Sequence, residues 1–306
     1  MVNNMVSIPH NQNDPKQLDC LAAQRYLYSR AKTYMVVQVI LTIPSVIALS
    51  ILTKLNPDMR LWNAFYGVAV LLIDSIYLDP YHRQLKREAA NIQEEFDCTV
   101  LGIGWSVASA GSRPDPEAIH EASSKYKHND PECAKLKDWY PKIDNRISEP
   151  LARLLCQRSN LWWDSKLRRR YAFWLAIIVG MVSVSVFVVS MWKEFTFEQF
   201  VLGGFCLLSP AWLWGVREIR RQLDSSNELD RLKTYLESVW AKAVKGQIEE
   251  EELKDQSREI QNALLERRQR NPLIFDWVYN RLRKSNERAM VKGTDALIEE
   301  ALKMKE

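Results

Sequence analysis

Apolar residues in this chain are gathered into four long blocks separated by strongly polar segments. The first block is Tyr34–Thr53, uncharged throughout. The second is Leu61–Leu78, with Asp74 as its only charge. The third is Tyr171–Trp192, again uncharged, and the fourth is Phe197–Val216, with Glu198 near its start. A helix rises ~1.5 Å per residue, so each block reaches roughly the ~30 Å of a bilayer's hydrocarbon layer. The second is the shortest. A set of helices buried in a large soluble core is the competing reading, and block length argues against it. Aromatic residues at block ends, including Tyr34, Trp62, Phe65, Tyr77, Tyr171, Trp174, Trp192, Phe197, Trp212 and Trp214, fit interfacial belts.

Short loops, Lys54–Arg60 and Lys193–Thr196, join the blocks pairwise into two hairpins. The loops hold Lys54, Arg60 and Lys193. The opposite flanks are richer in base: Arg25, Arg30 and Lys32; Arg83, Lys86 and Arg87; Lys166 and Arg168 to Arg170; Arg217, Arg220 and Arg221. By the positive-inside rule the hairpin tips face outward and both termini are cytoplasmic. The expected organisation is a cytosolic segment 1–33, a hairpin 34–78, a cytosolic helical region 79–170, a second hairpin 171–216 and a cytosolic helical region 217–306. The first 33 residues lack an apolar stretch with a small-residue cleavage site, so no signal peptide is expected.

The polar segments read as helices. After the second block, Leu78, Tyr81, Leu85, Ala89, Ile92, Phe96 and Val100 alternate steps of three and four. Pro80 starts a new helix there or kinks a continuing one. Glu94, Glu95 and Asp97 read as that helix's wet face. A loop, Gly102–Pro116, follows, and Asp115–Pro116 predicts a new helix start. Pro150–Arg170 predicts a helix entering the third block. Leu229, Leu232, Leu236, Val239 and Ala243 form a further stripe, closed at Gly246. Glu249–Arg270 has acids first and bases last, as the helix dipole favours, and Asn271–Pro272 ends it ahead of two further helices. No strand alternation is evident. The expected fold is an all-α integral membrane protein: four transmembrane helices in two hairpins plus helical cytosolic segments.

Composition adds little to this. The chain has a net charge of +4, 26% charged residues and a slightly negative mean hydropathy, an average that conceals the blocks. Cys20, Cys98, Cys133, Cys156 and Cys206 are odd in number and widely spaced, which fits reduced thiols rather than a disulfide framework. No P-loop, GxSxG, HExxH or Rossmann glycine pattern is present, and His120, His128 and Cys133 match no standard metal spacing. No enzyme activity, cofactor or metal is expected.

Polar residues inside the blocks carry candidate chemistry. Gln38, Thr42 and Ser45 share one helical face, Asp74 shares another with Gly67, and Ser183 and Ser190 share a third with Gly180. Small and hydroxyl residues of this kind serve ordinary helix packing, or line a water path in an oligomer. Asp74 is the sharpest, because an ionisable group in a span normally faces protein or water. It pairs with a nearby base, or, as a ring in an oligomer, favours cations in a pore.

Five stretches together resemble one family. They are LAAQRYLYSRAK, LDPYHRQLKREAANIQEEFDCTVL, KDWYPKI, ARLLCQRSNLWWDSKLRRRYA and SREIQNALLERRQRNPLIFDWVYNRLR. In these the chain resembles the SMODS-associating four-transmembrane effectors over nearly its whole length. The resemblance implies a pore-forming effector of a cyclic-oligonucleotide antiphage system (CBASS), placed in the bacterial inner membrane. It further implies a functional link to a cyclic-oligonucleotide synthase, a cyclic di- or trinucleotide ligand, membrane lipid as a partner and a homo-oligomer, with no DNA or RNA. It carries over no ligand-contact positions.

Phosphates call for guanidinium or N–H donors, and bases call for aromatic faces. Trp139 and Tyr140 precede a basic helix carrying Arg153 and Arg158, with Gln157 and Asn160 able to read base edges. Those six are the candidate ligand residues, although structural salt bridges are the favoured use for Arg153 and Arg158. Arg168, Arg169 and Arg170 read as anchors to anionic lipid. The alternative to a gated pore is a membrane anchor whose cytosolic helices recruit a partner. A constitutive transporter is a third possibility, disfavoured by the few intramembrane charges.

Overall fold

The computed structural model describes residues 8–304 and, among them, contains helices and no strand. In chain order the helices are α1 (Ile8–Asn11), α2 (Pro15–Thr42), α3 (Pro44–Leu55), α4 (Arg60–Ile73), α5 (Asp79–Leu101), α6 (Val107–Ala110) and α7 (Pro116–Lys127). They continue with α8 (Glu149–Trp192), α9 (Phe197–Gln199), α10 (Cys206–Val244), α11 (Glu250–Arg270) and α12 (Asp276–Lys303). Among the described residues, four stretches are long and apolar enough to cross a membrane: Pro15–Leu55, Pro57–Leu101, Glu149–Trp192 and Phe197–Val244. At most 11% of each apolar window is buried within the protein. Faces this apolar and this bare in one chain call for lipid around them.

The chain divides into two compact units. One comprises Ala31–Gln84 and Arg168–Asp224; the other comprises the chain up to Arg30, Leu85–Leu167 and the chain from Ser225 onward.

The first unit holds the four apolar blocks. Pro44 lacks an N–H donor, and the helix breaks between α2 and α3 at Ile43. Asn56 closes the following tip, its side chain accepting from the Asp58 N–H. The hairpin is fastened along its length. Tyr66 Oη donates to the Leu41 carbonyl at 3.1 Å, Gln38 donates to Asp74 at 2.7 Å, and the rings of Tyr34 and Tyr81 meet edge-on at 4.9 Å. A π-helical turn, Asp74–Leu78, stands between α4 and α5, so Pro80 falls in the first turn of α5, where its missing donor costs least.

In the second hairpin a capping box opens the return helix. Thr196 Oγ1 accepts from the Gln199 N–H, and Gln199 Oε1 accepts from the Thr196 N–H. Phe200–Phe205 is π-helical. Two glycines set the closeness of the pair. A Cβ on Gly204 would lie 2.9 Å from Val186 Cγ1, and one on Gly215 would lie 2.7 Å from Val179 Cγ2. This is the use of small residues expected where helices approach within a membrane.

The second unit has its own apolar core. The α5 stripe supplies Leu85, Ala89, Ile92, Phe96 and Val100, all buried. Leu151, Leu154, Leu155 and Leu161 come from α8, Leu229, Leu236, Val239 and Trp240 from α10, and Ile260, Leu264 and Leu265 from α11. Burying each such side chain contributes ~1.5–3 kcal/mol before chain entropy is counted. Gly246, at φ +66°, ends α10. Its N–H donates to the Ala243 carbonyl and that of Gln247 to the Lys242 carbonyl.

Two sequence expectations need correction. A single helix, α12, follows Asn271–Pro272 rather than two. Its only internal interrupter is Gly293, and one mid-helix glycine costs only ~1 kcal/mol. Arg168 is turned inward rather than out to lipid. It is buried and donates to Gln222 Oε1 at 2.8 Å, while Gln222 donates to Glu218 at 2.7 Å. A side chain on the inner face of its helix cannot reach headgroups.

Candidate functional site

The polar centre of the second unit is built by α5 and α11, each presenting a row with steps of four, three and four. On α5 the row is Ala90, Glu94, Asp97 and Leu101; on α11 it is Ser257, Gln261, Leu264 and Arg268. Glu94 and Asp97 are 0% exposed. This corrects their reading as a wet face. Their row is flanked by apolar residues on a helix buried on nearly every side, and the cost of burying two carboxylates is met by cations and amides on α11. Glu95 is half-buried and pairs with Arg113 at 2.5 Å.

Asp97 Oδ2 accepts from Arg268 at 2.6 Å and from Gln261 Nε2 at 2.9 Å, while its Oδ1 accepts from Tyr140 Oη at 2.6 Å. Glu94 Oε1 accepts from Arg258 at 2.6 Å, and Oε2 from Gln261 at 2.8 Å. Gln157 of α8 joins through Gln261 Oε1 at 3.1 Å and the Ser257 carbonyl at 2.9 Å, and its own oxygen accepts from Ser257 Oγ at 3.1 Å. Three helices and the Tyr140 loop are thus locked in one register by short, mostly charge-assisted bonds.

The network perturbs its neighbours. Burial, then the Glu94 charge, pushes the Cys98 thiol up to about 12, although Arg258 opposes them. Burial and the carboxylate of Asp97 hold the Tyr140 phenol well above its usual range. Burial also raises Cys156, with Asp97 adding to it. These groups stay neutral near pH 7, so the buried charge resides in the carboxylate–guanidinium pairs.

The structure brings three of the six candidate ligand residues together. Tyr140 stacks on Phe96 at 5.9 Å, Asn160 Nδ2 reaches Tyr140 Oη at 3.4 Å, and Gln157 enters through Gln261. Trp139 packs edge-on against Phe96 at 6.3 Å and stays half-buried. Arg153 is buried and points elsewhere, donating to the Leu101 carbonyl at 2.6 Å and the Gly102 carbonyl at 3.3 Å. Arg158 pairs with Glu237 at 2.7 Å. Sequence reasoning missed Glu94, Asp97, Arg258, Gln261 and Arg268. The usable signal was the matched spacing of the two rows.

The six candidates inside the spans divide similarly. Gln38 and Asp74 meet directly. Thr42 donates to the Gln38 carbonyl at 2.7 Å, Ser183 to that of Val179 at 2.8 Å and Ser190 to that of Val186 at 2.7 Å. These hydroxyls are satisfied within their own helices. Ser45 lies at the start of α3 and is half-buried. Among the described residues, no group of three or more His, Cys, Asp or Glu is arranged to hold a metal ion.

An all-helical chain with four spans and a helical polar unit defines a multi-pass membrane protein. It belongs to the family of the SMODS-associating 4TM effector domain, which it matches over residues 6–297. It is also similar to a probable CBASS effector molecule of Bacillus cereus strain VD146, with 26% identity over 288 residues, covering 92% of this chain and 95% of the relative. No solved structure matches it.

Proposed function

We propose that this chain is an effector of bacterial antiphage defence that oligomerises in the inner membrane and opens a pore when a cyclic oligonucleotide binds its helical polar unit. Family membership and the relative's description as a CBASS effector support the defence role. In this reading a partner synthase makes a cyclic di- or trinucleotide on infection, the termini and the helical unit face the cytoplasm, and the chain itself catalyses nothing.

The observation that carries the proposal is helix continuity. Helix α8 carries Gln157 of the buried network and, farther along the same helix, Ser183 and Ser190 of the third span. A ligand that displaces the first part of such a helix has a mechanical route to the second. Trp139, Arg158 and Asn160 retain partial exposure, so we assign them the meeting with nucleotide; Tyr140, Arg153 and Gln157 hold the helices the ligand would move. Opening draws on the ligand's differential affinity for the two states. Asp74 and Gln38 supply the polar lining.

Purified protein in dye-loaded liposomes tests this against a panel of cyclic di- and trinucleotides. The proposal expects leakage only with one of them, together with thermal stabilisation by the same compound. Ligand-independent leakage indicates a constitutive channel or transporter. No leakage under any ligand favours the membrane-anchor reading.

A further inference from the structure

Tyr279 of α12 meets side chains from two other helices of the polar unit. Arg25 of α2 sets its guanidinium over the ring, with Cζ 4.2 Å from the centroid. The indole of Trp163, on α8, meets the same ring at 5.1 Å and 60°. All are half-buried and belong to one compact unit.

A ring face attracts a cation but accepts no ordinary hydrogen bond, so Arg25 keeps its N–H donors. Among the described residues none of those donors reaches a carboxylate or a carbonyl, and Trp163 donates no hydrogen bond either. This sets Arg25 apart from other shielded arginines of the unit. Arg153, Arg158, Arg258, Arg267, Arg268 and Arg283 each donate to a carboxylate or a carbonyl. Carboxylates on α12 are committed elsewhere: Asp276, one turn before Tyr279, accepts from Ser29 Oγ at 3.1 Å, and Glu287 pairs with Arg283 at 2.5 Å.

A guanidinium steadied on a ring, with its donors open, matches the oxygens of a phosphate. An indole beside it has the π face and the donor edge that a base meets. On α8, Trp163 lies one turn beyond Asn160, so the two share a side of that helix.

We infer that Arg25 and Trp163 extend the nucleotide site beyond Asn160, with Arg25 taking a phosphate and Trp163 an adjoining base. The inference rests on the nucleotide reading of the polar unit. Tyr279 is a positioning residue: it holds the guanidinium without neutralising it, so the whole charge meets the ligand.

The test labels the full chain with phenylglyoxal in a maltoside detergent, which carries no phosphate, and maps each arginine by peptide mass spectrometry. Arg25 should react readily while the paired Arg268 resists. One member of a panel of cyclic di- and trinucleotides should slow labelling at Arg25 about tenfold or more. Transfer into phosphatidylglycerol nanodiscs without nucleotide should leave the labelling unchanged. Arg25→Ala should weaken binding of the same nucleotide about tenfold, with Arg25→Lys restoring part of the loss. Trp163→Phe, which keeps a ring against Tyr279, should weaken it several-fold.

No slowing by any nucleotide overturns the inference. So does an Arg25 unreactive from the start, because another part of the protein would then cover it. Protection by phosphatidylglycerol alone overturns it in favour of a lipid headgroup. The two readings fail separately. A protected Arg25 in a protein that leaks no dye leaves this site standing without a pore, and ligand-gated leakage with Arg25 unprotected removes this site alone.

Discussion

Gln38 donates its side-chain amide to the carboxylate of Asp74 across 2.7 Å, joining α2 to the π-helical turn that follows α4. The contact gives the single acid of the second span a neutral partner, leaving its charge uncompensated by that bond. Replacing Asp74 by Asn preserves a hydrogen-bonding group and removes the charge. With Asp74 on the ion path, reversal potentials in planar bilayers shift toward lower cation preference. Unchanged reversal potentials remove it from the path.

Close approach of the second hairpin rests on two missing Cβ atoms. Gly215→Ala places a methyl against Val179, and accommodating it costs ~1–3 kcal/mol. The thermal midpoint in detergent should fall. Adding Val179→Ala should restore most of the loss, because it reopens the space; failure to do so would locate the damage elsewhere. Gly204→Ala with Val186→Ala gives an independent repeat of the same logic.

Breaking the buried pair between Asp97 and Arg268 leaves one charge without its partner, at a cost of ~3–5 kcal/mol. Asp97→Ala should thus be among the most destabilising single changes in the polar unit. Tyr140→Phe removes one of three donors to the same carboxylate and leaves the ion pair in place, so it should cost less, ~1.5–3 kcal/mol. Thermal unfolding of the two variants, compared side by side, checks the ordering.

Alkaline pH should weaken the folded state through Cys20 and Cys98. Burial, with nearby carboxylates, raises both thiols from 9.0 to about 12. Between those values the folded protein keeps protons that the unfolded chain has lost. This stabilisation is therefore complete below about pH 9 and disappears as pH rises toward 12. The decline in midpoint over that range should be shallower in Cys98→Ala. In the unsubstituted protein at pH 8, a maleimide should label Cys98 only after denaturation, since neither exposure nor thiolate is available before it.

The α5 helix shows why legibility was uneven. Its apolar stripe from Leu85 to Val100 was visible from spacing, and each of those residues is buried. Glu94 and Asp97 sit on the adjoining row, and carboxylates on a soluble-looking helix read as solvated by default. What reverses that reading is Arg258 and Arg268, far along the chain, and no local pattern announces which acid meets which base. Arg168 was misread for the same reason: its partner, Gln222, belongs to a different helix. Tyr140 was singled out for its aromatic face, and its hydroxyl turned out to be the group that joins the network.

From sequence alone came the four apolar blocks, the helical character of the polar segments and the family. Transfer of an apolar run into lipid is a sum over contiguous residues, so neighbours along the chain suffice to read it. Tertiary structure alone decided which acids are buried, which arginines turn inward, and where Gly204 and Gly215 admit a neighbouring helix. Each of those depends on what a distant segment places opposite the residue. The energy of a charge or a glycine is set by that neighbour far more than by its own position in the chain.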